Sequence, residues 1–364
     1  MPLEVSDVEL APPGPGEVLV RLSASGVCHS DLNAADGTSA TRCPAVLGHE
    51  GAGVVAGVGP GVHVEVGTPV ALSWMPSCGD CDECVRGLTH LCRVAWSAMG
   101  HGGLLDGTPR ISRDGTPIYH YSFLSTFATA AVVPERSIVP IPEGIPFEVA
   151  ALVGCAVATG VGAVWLTAGV RPGDRVAVFG CGGVGLSAVL GALSVGATPV
   201  IAVDISSEKL ARAEALGARA VAWAGSPQAT ADAVQAASAG GVDYAIEATG
   251  RPDAMLAAFL STRPHGAAVL IGIGRSDAVL SLPAIQIPRA ERRILGSAYG
   301  SIRPRRDFPT ILALYAQGRL PLDRLITHRL PLDAAQDALD LVRTGTAVRA
   351  VLALDDRNGQ RARP

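Results

Sequence analysis

The stretch from Arg175 to Asp204, RVAVFGCGGVGLSAVLGALSVGATPVIAVD, leaves this chain little choice of fold. Arg175 to Phe179 is a short β-rich run. Gly180-x-Gly182-x-x-Gly185 follows, then an apolar helix through Val195, then the strand PVIAVD ending in Asp204. A lone GxGxxG is weak evidence. One that leaves a strand, opens a helix and is followed by an acid at a second strand's end is a full dinucleotide fingerprint. Glycines in this loop (Gly180, Gly182, Gly183 and Gly185) let the backbone approach a pyrophosphate lying at the helix N-terminus, where free N–H groups face it. Asp204 would bind the adenosine ribose hydroxyls and repel a 2′-phosphate, which favours NAD over NADP. The plainer reading is a glycine-rich turn that binds nothing, and the flanking strands and acid weigh against it.

The alternation continues downstream. GVDYAIEATG (241–250), GAAVLIGIG (266–274) and RRILGSAYG (292–300) each hold a short apolar strand ending near glycine, with helical stretches such as SEKLARAEALGA between strands. This pattern predicts a parallel, doubly wound sheet with helices on both faces. Upstream, residues 1 to about 150 are rich in glycine, proline and valine without a long helical period, which predicts an irregular β domain. Beyond the sheet, DFPTILALYAQGRL and DAAQDALDLVRTG predict helices, AVRAVLAL a last strand, and the polar tail DDRNGQRARP a frayed end.

A length of 364 residues fits two domains, and 48% hydrophobic residues supply their cores. The net charge of −4 and the lack of a basic block argue against a nucleic-acid partner; Lys209 is the only lysine. The opening MPLEVSDVEL is acidic and lacks the apolar core of a secretory leader. Val149 to Val170 and Val176 to Val203 are uncharged and long enough to suggest membrane spans. The second contains six glycines and Pro199 and reads as strand, loop, helix, strand, so no membrane partner is expected.

Eight cysteines in a chain without a leader point to a reducing compartment, the cytoplasm, and to metal binding rather than disulfides. Cys78, Cys81, Cys84 and Cys92 are separated by two, two and seven residues. Short gaps let one loop wrap a tetrahedral zinc, and four thiolates leave no open position, so that ion would be structural. An iron–sulfur cluster or free thiols are the alternatives; the compact Cys-Pro signature of the former is missing. A second set is scattered: Cys28 in GVCHSDL, His49 in LGHEGAG and Cys155 in VGCAVATG. Two thiolates and an imidazole leave one zinc position open for chemistry. Singly, a buried cysteine is usually a small hydrophobe and a lone histidine a satisfied polar group. Asp31 could accept the second ring N–H of His49 or merely cap a turn. Glu50 could approach the metal or sit in a buried salt bridge. Cys43 and Cys181 read as packing thiols.

These motifs together, GVCHSDL, LGHEGAG, the Cys78–Cys92 knot, GCAVATG, GCGGVG with Asp204 and the closing GTAVRAVLAL, resemble the zinc-dependent medium-chain alcohol dehydrogenases essentially end to end. The stretch 104–133 resembles the longer-looped branch that holds animal alcohol dehydrogenases and thiol-linked formaldehyde dehydrogenases. The resemblance implies a GroES-like β-rich catalytic domain (1–157 and 299–364) around a Rossmann domain (158–298), with substrate in the cleft. It implies two zinc ions per chain, NAD(H), a small-molecule substrate and a homodimer paired near 292–300, a homotetramer being the alternative. It gives Cys28, His49 and Cys155 to the catalytic zinc and makes Ser30 the hydroxyl that receives the substrate proton. His29 and Arg349 would lie near the pyrophosphate, Thr159 and Val184 beside the nicotinamide, Lys209 with Asp204 at the ribose, and Ile273 against the cofactor. Trp74 would line the substrate pocket, and Trp96 with it suggests an apolar or aromatic alcohol or aldehyde.

Three departures qualify the match. Asn33 stands where many members end the proton relay with histidine, and asparagine is no base. Trp96, Thr38 and Ala40 replace the charged residues that receive glutathione. The pattern also starts past the family's usual first strand. Asn33 motivates an alternative, a biosynthetic reductase of an iminium or activated double bond; a mycothiol-linked formaldehyde dehydrogenase and a non-catalytic NAD-binding protein complete the set.

Overall fold

A computed structural model describes residues 2–354; the polar tail 355–364, expected to fray, lies outside the described residues. The chain divides into two compact units. One holds the chain up to Cys155, Arg303–Ala316 and the chain from Ile326; the other holds Ala156–Ile302 and Gln317–Leu325.

In the second unit the fingerprint forms as read. The strand Val176–Phe179, the helix Gly183–Ser194 and the strand Val200–Asp204 follow one another. Six parallel strands order as Arg219–Ala222, Val200–Asp204, Val176–Phe179, Val242–Glu247, Thr262–Leu270 and Arg293–Gly296. The central strands bury both faces, so they are mostly apolar, with Ala177, Phe179, Ile201 and Val203 closed from solvent. Strand order reverses beside Val176–Phe179, and the glycine loop leaves the sheet at that switch point. Gln317–Leu325 joins this unit rather than the second catalytic segment to which the sequence assigned it: Leu320, Leu322 and Leu325 are fully buried, and Arg324 donates to the carbonyl of Ala215 at 2.7 Å.

In the first unit, seven strands make a sheet ordered Ile326–Pro331, Arg349–Ala353, Glu17–Val27, Glu50–Val58, Pro69–Leu72 and Ile138–Pro140, with Ala130–Pro134 also paired to Glu17–Val27. Val18, Val20, Leu22, Leu72, Leu124 and Leu352 form its core. A four-stranded sheet carries Glu9–Leu10, Ile111–Arg113, Thr116–His120 and Ala45–Val46.

The first uncharged stretch becomes the helical run Phe147–Ala168, which by length and hydropathy could cross a membrane, yet 83% of its most apolar window is buried within the protein. That is how a core helix behaves. Val153–Val157 widens to π geometry, a rare distortion that concentrates at functional sites.

Gly185 faces the strand end so closely that a Cβ there would lie 1.7 Å from the carbonyl oxygen of Gly180. Gly185→Ala must therefore push the helix off the loop, at a cost of about 1–3 kcal/mol. Thermal denaturation should show a transition lowered by several degrees; an unchanged transition would contradict this packing.

Candidate active site

Strand register assembles the site. Gly26 pairs with Glu50 on one side and with Val351 on the other. Cys28 follows the first strand's end, and Glu50 and Arg349 open the two neighbours, so three distant segments deliver their side chains to one sheet edge. Gly26 makes room: a Cβ there would sit 2.1 Å from Glu50 Oε2 and 3.1 Å from Arg349 Nη2. Cys155 comes from the π turn, where a Cβ on Gly154 would lie 2.6 Å from the carbonyl oxygen of Leu72. The ligand atoms of Cys28, His49, Glu50 and Cys155 then all lie within 4.8 Å of one another.

Asp31 organises this cluster. It is fully buried in the helix His29–Asp36. Its Oδ2 accepts the Cys28 amide at 2.9 Å, and its Oδ1 accepts the Gly48 amide at 3.1 Å and His49 Nδ1 at 2.9 Å. The one carboxylate thus bonds both the turn at Cys28 and the ring of His49. A carboxylate only accepts, so Nδ1 carries the proton and Nε2 is left for a metal. Burial alone would lower the His49 pKa, but the Asp31 carboxylate and then Cys28 together hold it well above the ordinary value. The thiol of Cys28 is held well down, first by its neighbour Cys155, which is pushed well up in turn.

Glu50 is both a member of the cluster and the partner of Arg349, its Oε2 accepting from Nη2. Burial pushes Glu50 up to about 7 against the pull of Arg349. The sequence offered Glu50 a buried salt bridge but not its partner, having placed Arg349 only near a pyrophosphate. Tyr121 was missed altogether. Its ring meets His49 edge-on at 5.5 Å, and its hydroxyl donates to the carbonyl of Ser30 at 3.0 Å. Ser30 Oγ lies 3.9 Å from Cys28 Sγ, while His29 is exposed. Trp74 and Trp96 meet edge to face at 5.8 Å, and Trp96 is 44% exposed with Nε1 donating to the carbonyl of His90.

The four-cysteine loop is drawn together as well. Cys78 and Cys84 sulfurs lie 4.0 Å apart, and Cys81 and Cys92 sulfurs 3.9 Å. A tetrahedral zinc with four bonds of about 2.3 Å sets its sulfurs about 3.8 Å apart, so the set fits that ion. Amides point at the sulfurs: Asp80 and Cys81 donate to Cys78, and Cys78 and Ala95 to Cys92. Burial opposes ionisation of Cys78, but the amides of Asp80 and Cys81 bring its thiol down to about 7. All eight cysteines are free. Cys181 is buried as expected, but Cys43, read as a packing thiol, is exposed because its loop before Pro44 runs over the surface.

In the nucleotide unit, Asp204 sits half-buried at its strand's tip, Oδ2 accepting from the Cys181 amide at 2.7 Å and Oδ1 from Ser206 at 2.9 Å. That fixes the carboxylate over the glycine loop. Lys209 follows in the helix Ser207–Leu216, Val184 opens the helix Gly183–Ser194, and Thr159 is buried in the helix Ala158–Gly162. Ile273 is 90% exposed. Glu247 was missed; buried at the end of the neighbouring strand, its Oε1 accepts the amides of Thr249 and Gly250 and shapes the loop beside Gly180.

A closed four-thiolate zinc site, an open-sided cysteine–histidine–cysteine cluster and a dinucleotide fingerprint define a zinc- and dinucleotide-dependent oxidoreductase. Residues 14–143 match the family described as alcohol dehydrogenase GroES-like domain, and residues 183–317 match zinc-binding dehydrogenase. The chain is 38% identical to an S-(hydroxymethyl)glutathione dehydrogenase of Paracoccus denitrificans, over 96% of each. Among solved structures it is similar to an alcohol dehydrogenase zinc-binding domain protein of Burkholderia ambifaria, at 34% identity and TM-score 0.91, covering 95% of this chain and 94% of that one. It is also similar to benzyl alcohol dehydrogenase of Acinetobacter calcoaceticus, at 30% identity and TM-score 0.92, covering 97% and 96%. The chain belongs to the zinc-dependent medium-chain alcohol dehydrogenase family. It is a zinc-dependent enzyme that transfers hydride between NAD(H) and an alcohol or aldehyde on a small molecule; the comparisons uphold that reading over the iminium-reductase, mycothiol-linked and non-catalytic alternatives.

His120 gives the catalytic unit an acid-labile point. Its Nε2 accepts the Arg110 amide at 3.0 Å and its Nδ1 lies 3.3 Å from Ser125 Oγ, so the folded ring is neutral. Burial, then Arg110, lowers its pKa to about 4. An unfolded histidine titrates near 6.5 and takes its proton first. The contribution is therefore complete above about pH 6.5 and is lost as pH falls toward 4, by at most about 3 kcal/mol. Urea denaturation should show this fall, reduced in His120→Gln; equal pH slopes in both proteins would contradict it.

Proposed function

We propose that the enzyme oxidises primary alcohols with an aromatic or apolar body to aldehydes with NAD⁺, and reduces the aldehydes in reverse. The observation that carries this is the edge-to-face pair of Trp74 and Trp96, Trp96 lining one cavity with Tyr121, whose ring meets His49. The similarity to benzyl alcohol dehydrogenase supports it. Similarity to S-(hydroxymethyl)glutathione dehydrogenases supports the same chemistry on another substrate, but Trp96, Thr38 and Ala40 leave no charged receptor for glutathione at those positions.

Cys28, His49 and Cys155 hold the zinc, which when bound supplies Lewis acidity at the substrate oxygen. Asp31 fixes the His49 ring and its tautomer. Ser30 receives the alcohol proton, its backbone steadied by Tyr121. Asn33 cannot pass that proton on as a base, so exposed His29 and solvent form the exit. Glu50 and Arg349 balance charge behind the ligands. Gly180, Gly182, Gly183 and Gly185 admit the pyrophosphate, Asp204 and Lys209 hold the ribose, and Thr159, Val184 and Ile273 face the cofactor. The free thiols support a cytoplasmic setting. The edge strand Arg293–Gly296 supports a homodimer.

The test is nicotinamide absorbance with benzyl alcohol, ethanol, and formaldehyde with and without glutathione. Benzyl alcohol should lead, and Cys155→Ala should fall to background while NADH still binds. Replacing Trp74 and Trp96 with alanine should raise the KM for benzyl alcohol roughly tenfold. Unchanged preference in that double variant, or turnover only with glutathione present, would sink the aromatic reading.

A further inference from the structure

Tyr121 forms a wall shared between the metal cluster and a second feature of the same unit. A cavity of about 310 Å³ lies there, lined by Ser39, Thr41, Arg42, Trp96, Met99 and Tyr121 among others. That volume is at the small end of ligand pockets. Strand register builds it: Ala45 pairs with Tyr119 and Val46 with His120, which lays the loop 39–44 alongside residues 119–122.

Its one cation is fixed in place. The guanidinium of Arg42 stacks over the Tyr119 ring at 4.4 Å, and Nη1 donates to the carbonyl of His101 at 3.0 Å. None of the described residues lining the cavity is acidic, and among the described residues no carboxylate pairs with Arg42. Three residues earlier on the same loop, the buried Ser39 hydroxyl has no hydrogen-bond partner. A held guanidinium and an unused hydroxyl donor beside the tryptophan and methionine side chains are the complement of a carboxylate on an apolar body. A free amino acid or peptide would also need an acid for its ammonium group, and this lining has none.

We infer that this cavity seats a carboxylate at the far end of the substrate, so that the preferred substrates are alcohols and aldehydes carrying a carboxylate on an aromatic ring. The inference rests on the proposed aromatic alcohol reading and names its substrate class. Arg42 is a specificity residue, remote from the reacting atoms.

The experiment compares 4-(hydroxymethyl)benzoate, its methyl ester and benzyl alcohol as substrates of the zinc-loaded full chain with NAD⁺, in wild type, Arg42→Gln and Arg42→Lys. The acid should have the lowest KM in wild type. Arg42→Gln should raise that KM at least tenfold, with both neutral alcohols changed less than twofold, and Arg42→Lys should recover part of the loss. Equal losses on all three substrates, or no loss on the acid, overturn the inference. Calorimetric titration of the acid without cofactor separates the two claims. Binding that weakens tenfold in Arg42→Gln, with no alcohol turned over, would keep the anion seat and sink the alcohol reading. Turnover of neutral alcohols, with acid binding indifferent to Arg42, would keep the dehydrogenase and sink the seat.

Discussion

The active site depends on one buried carboxylate accepting three N–H bonds. Asp31 ties the turn at Cys28 to the loop at Gly48 and His49 through two amides and one imidazole. A buried carboxylate is costly unless each oxygen is satisfied, and here each is. The same bonds that make its burial tolerable set two ligand-bearing segments at fixed separation and leave Nε2 of His49 as the ligating nitrogen. A geometry of this kind is built before any metal arrives, which is what a Lewis-acid site needs.

Around that anchor, the protein uses sheet register where a sequence motif cannot reach. Residues 28, 50 and 349 are far apart in the chain and come together at the ends of three paired strands. The buried pair of Glu50 and Arg349 fits only because residue 26 has no side chain. Removing either partner would strand a buried charge, so the two are better seen as one unit than as separate contributors. The four-cysteine loop works differently. Its gaps are short, its own amides point at its sulfurs, and it needs no distant strand to form.

That contrast explains what the sequence revealed. The dinucleotide unit was legible because strand, glycine loop, helix and acid are contiguous, and each performs its role locally. The four-cysteine site was legible from spacing for the same reason. Cys28, His49, Cys155 and Asp31 were visible as one candidate set, which the family resemblance then assigned to the catalytic zinc. Tyr121, Glu247 and Arg349 as the partner of Glu50 were hidden, because an aromatic in a loop, an acid outside the fingerprint and an ion pair between distant strands have no diagnostic spacing. The capture of 317–325 by the nucleotide unit was equally invisible, since it follows from three leucines finding a core.

The most direct test is zinc content and zinc affinity of Asp31→Ala and Asp31→Asn, with melting temperature recorded to confirm folding. Wild type should hold two ions per chain. The variants should keep the four-thiolate ion and bind the other about 10–100-fold more weakly in competition with a chelator. Activity should fall in step with that lost occupancy. Two ions held with unchanged affinity in folded Asp31→Ala would contradict the account, because the metal site would then stand without the carboxylate said to build it.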